Sequence, residues 1–170
     1  MKRKSLVRGF TLVEMVLYVS LCSVILLSLS TFMASLLDSR VRSQSIAEVN
    51  QQGAQAMHMM TQTIRNGRSV TSPSIGTSSS SLVVITGNAL LNPTIFNTAS
   101  GTLFIKEGSD ASIALTNHRV AVSGLLFQNV SSSSSTEKII RMSFVLDYIN
   151  TSGRGEYSYT KTFTGSATLR

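Results

Sequence analysis

The chain has 170 residues, room for one modest domain of about 100–150 residues plus an extension. Lysine and arginine number 15 against 8 acidic residues, a net charge of +7, yet charged residues make up only 14% of the chain, which argues against wholesale disorder. The single cysteine excludes an intramolecular disulfide, and the lack of Trp argues against an aromatic-rich binder of sugars or single-stranded nucleic acid.

The charge is uneven. Lys2, Arg3, Lys4 and Arg8 place four positive charges in the first nine residues. Without them, eleven basic side chains face eight acidic ones, a balance of +3. The basicity therefore belongs largely to a leader, and it favours holding that leader on the cytoplasmic side of a membrane. Met15 to Leu37 follows with 23 residues and no charge. As a helix this run is ~35 Å long, enough to cross a bilayer core of ~30 Å. A helix buried in a globular core would usually keep a polar stripe. A secretory signal has an apolar stretch of only ~7–15 residues. The nearest small-residue cut site, Ser28-Leu29-Ser30, lies inside the run. Glu14 stands at the edge of the apolar segment, four residues after Phe10. A carboxylate deep in a bilayer costs ~2.5–3.5 kcal/mol on insertion scales, so it calls for a positive partner. The plainer reading is a helix-start carboxylate favoured by the N-terminal dipole.

Arg8-Gly9-Phe10-Thr11-Leu12-Val13-Glu14, between a basic leader and a long apolar run, resembles the prepilin cleavage motif of type IV pilins and type II secretion pseudopilins. The resemblance implies that residues 1–9 are a leader cut after Gly9 by a prepilin peptidase. It implies that Phe10 becomes the new N-terminus and is N-methylated. Glu14 matches the family's Glu, which neutralises the N-terminal amine of its own or a neighbouring subunit. Gly9 leaves the scissile bond uncrowded. Amine and carboxylate are each costly alone in hydrocarbon, and pairing lowers that cost. The implied partners are the prepilin peptidase, other pilin or pseudopilin subunits, the inner-membrane assembly platform and the lipid bilayer. The implied location is the bacterial cytoplasmic membrane, crossed once with the C-terminal domain outside, and then a filament. Many pilins carry a Pro in the membrane half of this helix; no Pro occurs here before Pro73, so a proline kink is not carried over.

The helix is expected to run from Phe10 to Arg65, because no turn cluster precedes Asn66-Gly67. Ile46, Val49, Gly53, Met57, Met60 and Ile64 recur at three- and four-residue spacing and mark one face. Gly53 is expected either to admit close packing against a sheet or to mark a soft point. Thr71 to Ser81 reads as a loop, Ser131 to Ser135 as a serine run and Asn150 to Gly155 as a turn region. Leu82 to Ile85 reads as a buried strand. Leu103 to Ile105 and Ile113 to Leu115 flank a hairpin turn at Glu107-Gly108-Ser109-Asp110. Val120, Val122 and Leu126 lead a longer strand, with Gly124 as a bulge. Ile139 to Tyr148 and Tyr157 to Ala167 alternate apolar and polar residues, the signature of a sheet with one buried face.

The expected fold is α+β, a long N-terminal helix whose second half packs on an antiparallel sheet. Its divisions are leader 1–9, membrane helix 10–37, amphipathic continuation 38–68 and β-rich domain 69–170. Gln51, Gln52, Gln55, Gln62 and Arg65 in the continuation look like the minor members of the family, the W-type pilins and J-type pseudopilins. The implied role is a structural subunit of a type IV pilus, a type II secretion pseudopilus or a competence pseudopilus. The alternatives are a filament-tip binding module for adhesion or DNA uptake, and an uncleaved membrane-anchored domain. No enzyme motif, cofactor motif or metal-ligand spacing stands out. His58 and His118 are far apart, and Cys22 reads as a small apolar residue. Arg40, Arg42, Arg65 and Arg68 form two basic pairs. Arg40 and Arg42 are expected to act as membrane-flanking anchors and as inter-subunit partners of Asp38 and Glu48, with phosphate contact to DNA the less favoured reading of the basic pairs.

Overall fold

The computed structural model describes residues 11–132, 138–151 and 153–169. The leader, Gly9, Phe10 and residues 133–135 of the serine run lie outside the described residues. Helix α1 spans Leu12–Arg65 without a break, as the absence of proline allows. It ends where Asn66 N–H donates to the Gln62 carbonyl at 3.0 Å, just before Gly67. The chain divides into two compact units between Val41 and Arg42, a point inside α1.

The first unit is the apolar part of α1. Its large side chains are exposed, Leu12 at 80%, Leu27 at 70% and Phe32 at 62%. A helix satisfies its own backbone, which is what hydrocarbon demands. The hydroxyls follow the same rule. Ser20 Oγ donates to the Leu17 carbonyl at 2.8 Å and Ser23 Oγ to that of Val19 at 2.8 Å. Ser28 Oγ donates to the Val24 carbonyl and Thr31 Oγ1 to the Ser28 carbonyl, both at 2.9 Å. Hydroxyls bonded back to their own helix lose little on leaving water. This segment is long and apolar enough to cross a membrane.

The second unit joins the remainder of α1 to nine strands among the described residues. They are β1 (Gly67–Ser72), β2 (Ser78–Ser79), β3 (Leu82–Thr86), β4 (Thr94–Ala99), β5 (Thr102–Glu107), β6 (Ile113–Ala114), β7 (Val120–Asn129), β8 (Ile139–Tyr148) and β9 (Thr160–Thr168). All pairings are antiparallel. The fold is α+β, a long helix on antiparallel sheets. Two sheets form rather than one: β1-β3-β4-β5-β6 and β2-β7-β8-β9. The two-residue β6 ends the first sheet, and β7 pairs with β2 and β8 in the second. The sheets touch where Val122 N–H donates to the Gly101 carbonyl at 2.7 Å. Gly101 sits in the tight turn joining β4 to β5, where Ser100 and Gly101 both take positive φ (50° and 74°).

The buried face of α1 is Ser45, Val49, Gly53, Ala56, Met60 and Ile64. The stripe is centred slightly off the expected one, since Ile46 and Met57 are only half-buried. Against it lie Leu82, Val84, Phe96 and Leu103 from one sheet and Phe127, Ile140, Met142, Phe144 and Leu146 from the other, in one continuous core. Gly53 does not mark a break in the helix; the Phe163 ring of β9 packs directly against it. Gly165, also on β9, faces Met57 in the same way. Gly124 is the expected bulge. With φ at +61° it shifts the register between Ser123 and Leu126. Leu125 is thereby turned into the core and Leu126 to the surface.

Three strands differ from expectation, and one of them is β2, whose Ser78 and Ser79 were expected in a loop and pair with Gln128 and Phe127 of β7. Thr71 and Ser72, expected in a loop, close β1, because Ser72 pairs with Val83 of β3 while the register shifts at Thr71. Thr94–Ala99, to which no strand was assigned, is β4, with Thr94 and Phe96 buried. The helical continuation expected to reach residue 68 stops at Arg65, and Gly67 and Arg68 belong to β1.

Candidate functional site

The candidate site is the start of α1. Thr11 immediately precedes the helix, and its Oγ1 accepts from the Glu14 N–H at 3.3 Å. Thr11-Leu12-Val13-Glu14 therefore places a capping hydroxyl and a carboxylate three residues apart, the spacing of a helix N-terminal box. The Thr11 carbonyl accepts from Met15 N–H at 3.2 Å and starts the ladder. Glu14 is the acidic residue of the first turn, where the helix dipole favours negative charge by about 0.3–1 kcal/mol.

The dipole explains why a carboxylate is tolerated there. It does not explain the setting. Glu14 is half-buried among exposed apolar neighbours. Leu12, Met15, Val16, Val19 and Ser20 line a shallow apolar hollow of about 340 Å³ beside it. Among the described residues of the helix, Tyr18 OH donates to Glu14 Oε1 at 3.4 Å. The carboxylate thus keeps acceptor capacity for a cation from elsewhere.

No family model matches this chain, and neither a curated protein nor a solved structure does. The functional argument therefore rests on these residues and on the fold that carries them.

The structure describes Glu14 at the place the sequence marked, while Gly9 and Phe10 lie outside the described residues. Thr11 and Tyr18 were missed as site residues. The signals for them were the Thr-x-x-Glu spacing and the i, i+4 spacing from Glu14. His58 and His118 are both exposed, on α1 and in the turn before β7. Among the described residues no three His, Cys, Asp or Glu side chains group to hold a metal. Glu48, expected to meet arginines between subunits, accepts within the chain from Asn117 Nδ2 at 2.6 Å and Gln52 Nε2 at 3.3 Å. The Asn117 bond ties α1 to the loop before β7, while that from Gln52 stays within the helix. Lys161 Nζ adds a second tie, donating to Asn50 Oδ1 at 2.6 Å. Arg65 shares an open groove with His58, Thr61, Gln62 and Asn66, all on α1 or at its end.

Proposed function

We propose that this chain is the precursor of a minor type IV pilin or pseudopilin, cut after Gly9 and assembled as a structural subunit of a filament. The observation that carries the reading is a single unbroken helix with two halves of opposite character. Over residues 15–37 it carries no charge and is exposed throughout; from Ser45 to Ile64 one face is buried on antiparallel sheets. An exposed apolar helix is stable only in lipid or against other apolar helices. A filament supplies the second environment, and the membrane supplies the first before assembly. Cleavage after Gly9 would leave a positive amine on Phe10, four residues before Glu14. Pairing that amine with a carboxylate would select axial register, while the apolar surface supplies packing. The outward sheets would form the filament surface. Partners in this reading are the prepilin peptidase, sister subunits and the membrane assembly platform, with no cofactor required.

The test is processing in cells that carry a prepilin peptidase. Gly9→Val should leave the precursor at full length, because a β-branched side chain crowds the scissile bond. Normal cutting of that variant would remove the hypothesis.

A further inference from the structure

Glu14 has a companion that the assembly reading does not use. We infer that Tyr18 is a positioning residue for Glu14: its phenol holds one carboxylate oxygen so that the other is presented to the cation of a neighbouring subunit. This rests on the reading of Glu14 as an assembly carboxylate.

Glu14 and Tyr18 stand four residues apart, on one face of α1. Tyr18 OH donates to Oε1 at 3.4 Å, while Thr11 Oγ1 holds the Glu14 N–H at 3.3 Å. Backbone and side chain of Glu14 are thus fixed from opposite directions along the helix. The neighbouring Met15, Val16 and Val19 are exposed, and their apolar side chains have no N–H or O–H to offer. Tyr18 also differs from the other hydroxyls of the segment. Those of Ser20, Ser23, Ser28 and Thr31 donate to carbonyls of their own helix, whereas that of Tyr18 reaches a charged side chain.

The physical consequence is twofold. An ionised carboxylate in hydrocarbon with no donor is costly, and one phenolic donor meets part of that demand before any cation arrives. A glutamate also loses rotamer freedom when it pairs across an interface. A side chain already held by Tyr18 loses less, so pairing is stronger for the same contact. Phenylalanine would keep the ring and remove only the donor.

The experiment has two readouts on the full chain. Infrared difference spectra of protein carrying ¹³C-labelled glutamate, in detergent micelles, isolate the Glu14 carboxylate band by subtraction of Glu14→Gln. Filament incorporation is measured in cells with the native machinery, beside the membrane level of processed protein. We expect Tyr18→Phe to shift the Glu14 band and to be processed normally. We expect its share in sheared filaments to fall about tenfold, the factor that one hydrogen bond to a charged group carries. In the Glu14→Gln background Tyr18→Phe should change incorporation no further. An unshifted band overturns the inference, as does an equal loss in both backgrounds. Normal incorporation of Tyr18→Phe beside depletion of Glu14→Gln overturns the positioning role and leaves the assembly reading standing. Normal incorporation of Glu14→Gln overturns both.

Discussion

Gly53→Ala tests the seat of α1 on β9. A Cβ at Gly53 would lie 2.1 Å from Phe163 Cζ, 2.3 Å from Cε2 and 2.5 Å from Cε1. Ordinary carbon contacts need about 3.5–4.0 Å, so the ring must retreat by more than an ångström. Its retreat is opposed by Phe144, a buried ring on which it stacks at 5.4 Å between centroids and 15° between planes. Overpacking of this kind costs about 1–3 kcal/mol, and loss of the stack about 0.5–1.5 kcal/mol more. Alanine returns about 1 kcal/mol of helix propensity. The net effect is a destabilisation of about 1–3 kcal/mol, a fall in Tm of roughly 3–10 °C for a unit of this size. The assay is thermal unfolding of the full chain in detergent, followed by near-ultraviolet circular dichroism. Three of the four tyrosines report on the sheet unit: Tyr148, Tyr157 and Tyr159. The decisive arm is Phe163→Ala. With the ring gone the clash is gone, and Gly53→Ala in that background should stabilise by about 1 kcal/mol. An unchanged or raised Tm for Gly53→Ala in the native background would refute the close approach. So would the same sign of effect in both backgrounds.

Gly124→Ala probes the bulge of β7 through the backbone alone. The nearest side-chain atom to a new Cβ is Val145 Cγ2 at 3.9 Å, so no clash arises, but φ at +61° disfavours an L side chain. The expected loss is about 1–2 kcal/mol, read as a lower Tm; an unchanged Tm would show that the bulge relaxes without cost. Glu14→Ala should be cut normally after Gly9 yet be depleted from sheared filaments, measured by quantitative mass spectrometry against the membrane pool. Wild-type incorporation would count against amine pairing.

Much of this fold was legible in the sequence because long, strongly periodic segments carry their own signal. The uncharged run from Met15 to Leu37 and the lack of proline announced α1. The alternation through Ile140, Met142, Phe144 and Leu146 announced β8, and all four are buried. Short elements were harder. β1 is rich in Ser and Thr and becomes a strand through its pairing with β3 rather than through propensity. β4 begins beside Pro93 and carries Asn97 and Thr98, which blur its pattern. The split into two sheets had no local signature, since strand order is decided by pairing between distant segments. At the helix start, a charge at the edge of an apolar run made Glu14 visible. Thr11 and Tyr18 were not visible in the same way, because each is ordinary alone and acquires a role only through its spacing from Glu14. Gly53 left two readings open, and the Phe163 ring chose between them from a strand far along the chain.

The most direct test of the assembly reading is the intact mass and N-terminal peptide of the protein taken from native membranes. The account predicts a chain that begins at N-methylated Phe10, with residues 1–9 absent. A chain that still begins at Met1, in cells with an active prepilin peptidase, would contradict it and leave a membrane-anchored domain with an uncut helix.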